Sequence, residues 1–347
     1  MHRNKRVESC IESNPPYALL RAGFPYIKTI GMIRTTPSPV DIAVLDKNNL
    51  FVLCRGRGVI LNSVDDDYPL RRSPIGGNGD GDGQFVWPTT VILDQDQNIY
   101  VSDEALNRVT IFDREGNFKS KWGSKGDQEG KFNRLSGIAF DDDENIYTSD
   151  SLNHRVQKIT KNGEFIAKWG GFGSKPGQFN MPWGIHVDYW GYVYVADWRN
   201  SRIQKFSGSG EFVFELTGSP NDKFNRPSGV AVDRHGDIYV ADRENHCIKL
   251  FDKEGRYVEK FVGDATISKS GRTYLMSNPG PLRQRESTEL EIQKRFRGPV
   301  SVRIDDNYNM YVPDYGSSRV QIYKKEAYPL SPDQIAPTQR SPRLYTM

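Results

Sequence analysis

Six positions in this chain vary inside a frame that otherwise repeats, and they hold residue types that bind ions and rings. They follow a recurring aspartate slot and read Arg55, Glu104, Ser151, Trp198, Arg243 and Tyr315. A second set follows a recurring proline slot and reads Val40, Thr89, Ser136, Trp183, Ser228 and Val300. Arginine offers planar, bidentate bonding to carboxylate or phosphate. Trp and Tyr offer flat apolar area with a polar edge. Two cations, a carboxylate and three large aromatics gathered at one place would suit a small anionic ligand with an apolar or ring-shaped part, or a protein partner. Variable residues on a fixed scaffold are where function is usually grafted.

The frame comes from a repeat. Each copy reads Phe-x-x-Pro, then Gly-Ile-Ala-Val-Asp, then Asn-Ile-Tyr-Val-x-Asp, then Asn-x-Arg-Val/Ile-Gln-x-Phe. The leading slot falls at Pro39, Pro88, Leu135, Pro182, Pro227 and Pro299, so the steps are 49, 47, 47, 45 and 72 residues. Each copy reads as four short strands, rich in β-branched and aromatic residues and bounded by Gly, Asp or Asn. Turns such as Asp188–Gly191 and Asp233–Gly236 suit tight hairpins. One four-stranded unit cannot bury both its faces, whereas several packed radially can. The expected fold is therefore all-β: a six-bladed β-propeller of four-stranded antiparallel blades. The last copy lacks a fourth strand, and Tyr26–Gly31 resembles the fourth strand Phe118–Gly123 elsewhere. The N-terminal strand is thus expected to close the last blade.

In such a ring the variable slots share one face, here the top face, around the channel mouth. Two inner-strand positions add to them. A slot that is Ala43, Ala139 and Ala231 elsewhere becomes His186 and Arg303, and both are candidates to point into the channel or to pack between blades. The long step holds an insertion, 264–297, rich in helix formers over 281–296 and expected as one short helical insertion on the top face, a lid or rim. Residues 1–24 form an N-terminal tail, 25–325 the propeller, and 326–347 a Pro-rich C-terminal tail. The tails could wrap the ring or stay mobile, or they could be arms that grip a second subunit.

Recurrence also argues against function. Asp103, Asp150, Asp197, Asp242 and Asp314 occur in successive copies, as do Arg108, Arg155, Arg202 and Arg319; one active site needs no such repetition, so the pairs are read as structural. Phe85, Phe132, Phe179, Phe224 and Phe296 should fill the seams between blades. Asn78-Gly-Asp-Gly-Asp-Gly83 has the alternating oxygens of a calcium loop. The same slot elsewhere reads differently, so a plain turn is expected.

Asn153-His-Arg-Val-Gln157 and Asp242-Arg-Glu-Asn-His246 resemble the NHL repeat family, over roughly residues 25–325. That resemblance implies the propeller and leaves function open, because the family includes scaffolds, RNA binders, sensor domains and enzymes. More distantly, Val52-Leu-Cys-Arg-Gly56 and Asp242–Asn245 resemble two arginine segments of peptidyl-hydroxyglycine amidating lyase. This resemblance implies ligand contact for Arg55 and Arg243. That enzyme's zinc histidines would follow the leading proline, where this chain has Val, Thr, Ser, Trp, Ser and Val. No metal, no cofactor and no catalytic residue is therefore assigned. A lyase or hydrolase acting at the channel stays the alternative to a binding scaffold. RNA binding by a basic top face is the third reading.

The formal charge of +3 argues neither for nor against nucleic acid. No run approaches the ~20 apolar residues of a membrane span, and no signal peptide is apparent. The 3 cysteines have no paired spacing, which suits a reducing, cytoplasmic setting.

Overall fold

The computed structural model describes residues 18–286 and 289–330. Six four-stranded antiparallel sheets stand around an axis, with inner strands at Pro39–Val44, Pro88–Leu93, Leu135–Phe140, Pro182–Val187, Pro227–Val232 and Arg303–Ile304. The expected closure is present: Tyr26–Ile30 pairs antiparallel with Arg319–Lys324 and completes blade six. Pairing also runs past that point. Leu19–Gly23 and Glu326–Pro329 form a two-stranded ribbon outside the blades. The remaining terminal segments, 1–17 and 331–347, lie outside the described residues.

Packing confirms a closed ring. Each of the six seams holds its own apolar cluster, including the seam between blades six and one, where Ile30, Tyr311 and Ile322 meet Ile42, Val52 and Ile60. The five repeated phenylalanines are all buried, each in the seam that precedes its own blade. Burying a side chain of that size contributes roughly 1.5–3 kcal/mol.

The Asp slot earns its recurrence by bonding. Asp150 accepts Asn133 N–H at 2.7 Å, Asn153 Nδ2 at 2.8 Å and Arg155 Nε at 2.8 Å. Arg155 goes on to donate to the carbonyls of Asp127, Gln128 and Lys131, the connector entering its blade. Arg202 repeats this with Asp197 and the 174–178 connector. In blade two the arginine keeps only half of the role. Arg108 donates to Asp80, Gly81 and Gln84 carbonyls, while its Nε has no partner and Asp103 takes backbone N–H groups instead. The first two carbonyls belong to the 78–83 loop and the third follows it directly, so the loop is a turn stapled by arginine. Among the described residues no cluster of three or more metal-ligating side chains occurs.

The residue after each Asn turn is left-handed, and its side chain reaches the next blade. His154 Nδ1 accepts Met181 N–H at 3.1 Å and His246 Nδ1 accepts Gly298 N–H at 2.9 Å. Asn107 does the same for Arg134, at 2.6 Å. The motif histidines are seam fasteners, each accepting a backbone N–H at Nδ1.

The 264–297 insertion carries three short helices, Lys269–Met276, Pro279–Glu286 and Leu290–Lys294. The insertion is helical as expected, divided among three pieces, and none of its described residues lines the pocket at the mouth. Ser270 bonds Asp67 and Tyr26 bonds Thr266, so the first helix leans on the outer strand of blade six and a turn of blade one. Apolar positions in this segment are too sparse to hold a helix over a polar mouth; hydrogen bonds to the wall set its place instead.

Candidate functional site

The mouth of the channel is built at the turns that follow the Asp slot. In four blades this turn is a 3-10 helix, over Ser151–Asn153, Trp198–Asn200, Arg243–Asn245 and Tyr315–Ser317. Its first residue therefore leaves the strand toward the axis side of the top face. In blade one the Asp slot is Cys54, and no buried carboxylate stands under Arg55.

These turns bring five of the expected residues together. Arg55, Glu104, Trp183, Trp198 and Arg243 line one pocket of about 240 Å³, with Trp87 opposite. Trp183 and Trp198 meet edge to face, with centroids 5.6 Å apart. The Arg243 guanidinium lies 5.2 Å from the Trp183 ring, and that of Arg55 lies 4.9 Å from Trp87 and 5.8 Å from Tyr315. Tyr315 thus supports Arg55 from the side and does not line the pocket.

Charge is unevenly settled here. Glu104 is buried and forms an ion pair with Arg134 at 2.6 Å. Burial raises its carboxyl above the usual range while Arg134 and Arg55 oppose that shift. Neither Arg55 nor Arg243 has a carboxylate within ion-pair distance among the described residues. Burial lowers the Arg55 pKa, and Arg55 Nε is shielded without a partner. Arg55 and Arg243, outside any ion pair among the described residues, are held beside indole faces by cation–π attraction; Glu244 is the one further carboxylate in the lining, so the mouth stays net positive.

His186 and Arg303 lie elsewhere. Arg303 is spent on Asp41: its Nε lies 2.9 Å from the carboxylate, which also accepts Ser301 Oγ at 2.6 Å and Val91 N–H at 3.0 Å. It closes blade six onto blades one and two. His186 has a shielded, unpartnered Nε2; burial, with Arg303 nearby, pushes its imidazole down to about 4. The channel below the mouth, lined by Asp41, Thr89, Trp183, Ser228 and Arg303, has a cavity volume of only about 30 Å³. That admits water and excludes an organic ligand. Trp183 borders both spaces and forms the floor of the mouth.

Sequence reasoning missed Trp87 and Arg134. Both occupy the position before the leading proline slot, a third ring of variable residues that reads Ser38, Trp87, Arg134, Met181, Arg226 and Gly298. Reading that ring would have found them.

Comparison with known proteins agrees with the fold. A model described as NHL repeat matches residues 179–206 and 224–251. Another, described as a 6-bladed beta-propeller, matches residues 86–159. The curated relative Protein lin-41 of Caenorhabditis elegans is 41% identical over 58 residues, 16% of this chain and 5% of that protein, so the likeness spans a small part of it. A solved protein of unknown function from Bacteroides thetaiotaomicron superposes with a TM-score of 0.59 at 17% identity, covering 88% of this chain and 76% of its own. Virginiamycin B lyase from Staphylococcus aureus superposes at 0.57 and 12% identity, covering 87% of this chain and 99% of its own. At such identities the likeness is one of fold. The amidating-lyase resemblance gains no support from these matches.

Proposed function

Because the chain is a six-bladed β-propeller carrying NHL repeats, we propose that it is a non-catalytic binding module whose top-face mouth takes an anion. The ligand is a small carboxylate or phosphate with a ring or apolar part, or such a group displayed by a protein partner. The observation that carries this reading is the pair Arg55 and Arg243, neither in an ion pair among the described residues and both laid against tryptophan. A planar cation fork suits a carboxylate or phosphate. The indoles of Trp87, Trp183 and Trp198 supply the apolar contact. The narrow channel beneath keeps the ligand at the surface, where a partner protein also has access.

Titration of tryptophan fluorescence with phenyl phosphate and benzoate tests the proposal. Saturable quenching is expected, weakened about ten-fold or more in Arg243→Gln. Quenching that is absent, or indifferent to both arginines, would remove the site.

A lyase reading has one candidate group, Glu104, whose raised carboxyl pKa is what a general base needs. Its carboxylate is already held by Arg134 at 2.6 Å, which leaves the binding reading ahead.

A further inference from the structure

Blade one is built differently from the others at its outer edge. Its fourth strand is only Tyr68–Pro69, where the fourth strands of the other blades hold five or six residues. The chain then runs as Leu70-Arg-Arg-Ser-Pro74 along the third strand, Gly58–Ser63, with Leu70 N–H bonded to Leu61 C=O at 2.8 Å. Beside this segment opens a groove of about 470 Å³ on the side wall, away from the mouth. Arg34, Arg57, Arg71 and Arg72 line it, with Tyr68 and Leu70 67% and 52% exposed.

None of these four arginines has a carboxylate partner among the described residues. Arg57 donates to the Arg34 carbonyl, Arg71 donates to the Glu115 carbonyl, and the Arg34 guanidinium lies 4.4 Å from the Tyr274 ring of the insertion. Two of them are thus held in place by neutral acceptors and one by a ring, which leaves their charges uncompensated. The acids nearby are already engaged: Asp65 by Lys28, Asp66 by Lys269, and Glu115 by Arg114. The groove is therefore a basic island bounded by neutralised pairs and floored by apolar side chains.

We infer that this groove is a docking site for a short, extended acidic peptide segment of a partner protein. Charge complementarity names the occupant: guanidinium forks pair with carboxylates, and Tyr68 and Leu70 take interleaved apolar side chains. A nucleic acid fits less well, because its phosphate backbone would have to run on past Asp65, Asp66 and Glu115. The chain's own ends do not fit either, since 1–17 and 331–347 carry more Arg and Lys than Asp and Glu. The groove reading is independent of the mouth.

The test is an array of nonapeptides with central Asp/Glu runs flanked by Leu or Val, beside a matched Asn/Gln array, probed with the full chain. Hits are measured in solution by fluorescence anisotropy. Saturable, salt-sensitive binding to acidic peptides alone is expected, weakened about ten-fold or more in Arg57→Glu/Arg71→Glu/Arg72→Glu. Arg72→Glu alone, which removes no side-chain hydrogen bond among the described residues, should weaken binding in the same direction and guards against misfolding of the triple variant. Binding that is absent, shared with the Asn/Gln array, unchanged in both variants, or replaced by equal binding of oligouridine would overturn the inference.

Discussion

The Lys249 ammonium lies 2.8 Å from the buried Asp242 carboxylate, where blades three and four place an arginine from two residues earlier in the strand. In blade five the arginine slot is Cys247 and the glutamine slot is Lys249, so one charge has moved along the strand and stayed on the same partner. Lys249 is fully buried, and it also holds Asp222 at 2.7 Å. Lys249→Gln leaves Asp242 uncompensated and should cost about 3–5 kcal/mol. Adding Cys247→Arg rebuilds the arrangement of blades three and four and should restore most of that. Urea midpoints of the single and double variants measure it. A double variant no more stable than Lys249→Gln would show that the two positions do not share one role.

Arg55 presents the opposite case, a half-buried cation outside any ion pair among the described residues. Sites that hold unpaired charge for a ligand trade stability for function. Arg55→Met keeps the packing on Trp87 and removes the desolvated charge, so the free protein should be unchanged or more stable by up to about 1 kcal/mol while phenyl phosphate binding is lost. A clear loss of stability would instead make Arg55 a structural cation. Thermal unfolding with and without ligand separates the two.

These two residues also show what was legible in the sequence. The blade count, the seam phenylalanines and the Asp–Arg pairing follow from periodicity, because each recurs at one slot of a repeat. Arg55, Glu104, Trp183, Trp198 and Arg243 could be grouped because the same period carries them to one face. Partners chosen once had no period to betray them. Asp41 sits in an inner-strand slot and meets Arg303 only after the ring closes, over 262 residues of separation. The terminal ribbon likewise depends on two ends meeting, and the insertion's seat on Asp67 depends on a turn more than two hundred residues earlier in the chain.

Protonation should act through His186. Its folded imidazole is held at about 4, below the ordinary value of 6.5, by burial and by Arg303. A base depressed in the folded state binds its proton more readily when unfolded. Its contribution is thus fully present above pH 6.5 and is lost as pH falls from 6.5 toward about 4. His154, lowered by burial, adds a loss of the same sign. Urea midpoints followed from neutral to acid pH should decline across this window in the native chain. His186→Asn should flatten the decline by up to about 3 kcal/mol. Parallel curves for the two proteins would show that His186 is not the titrating group.

Asp41 joins three blades at the axis: Val91 of blade two donates to it, and so do Ser301 and Arg303 of blade six. The Asp41 side chain is 2% exposed, so its charge is offset by Arg303 rather than by water. Asp41→Ala removes one member of a buried pair, leaves Arg303 uncompensated beside His186, and should cost about 3–5 kcal/mol. Asp41→Ala/Arg303→Met removes both charges and should regain much of that loss, since replacing a buried pair by apolar groups is often near neutral. Because Arg303 lies below Trp183, neither variant should alter phenyl phosphate affinity at the mouth. Affinity that falls in step with Arg303→Met alone would place this arginine in contact with the ligand and move the binding site down into the channel.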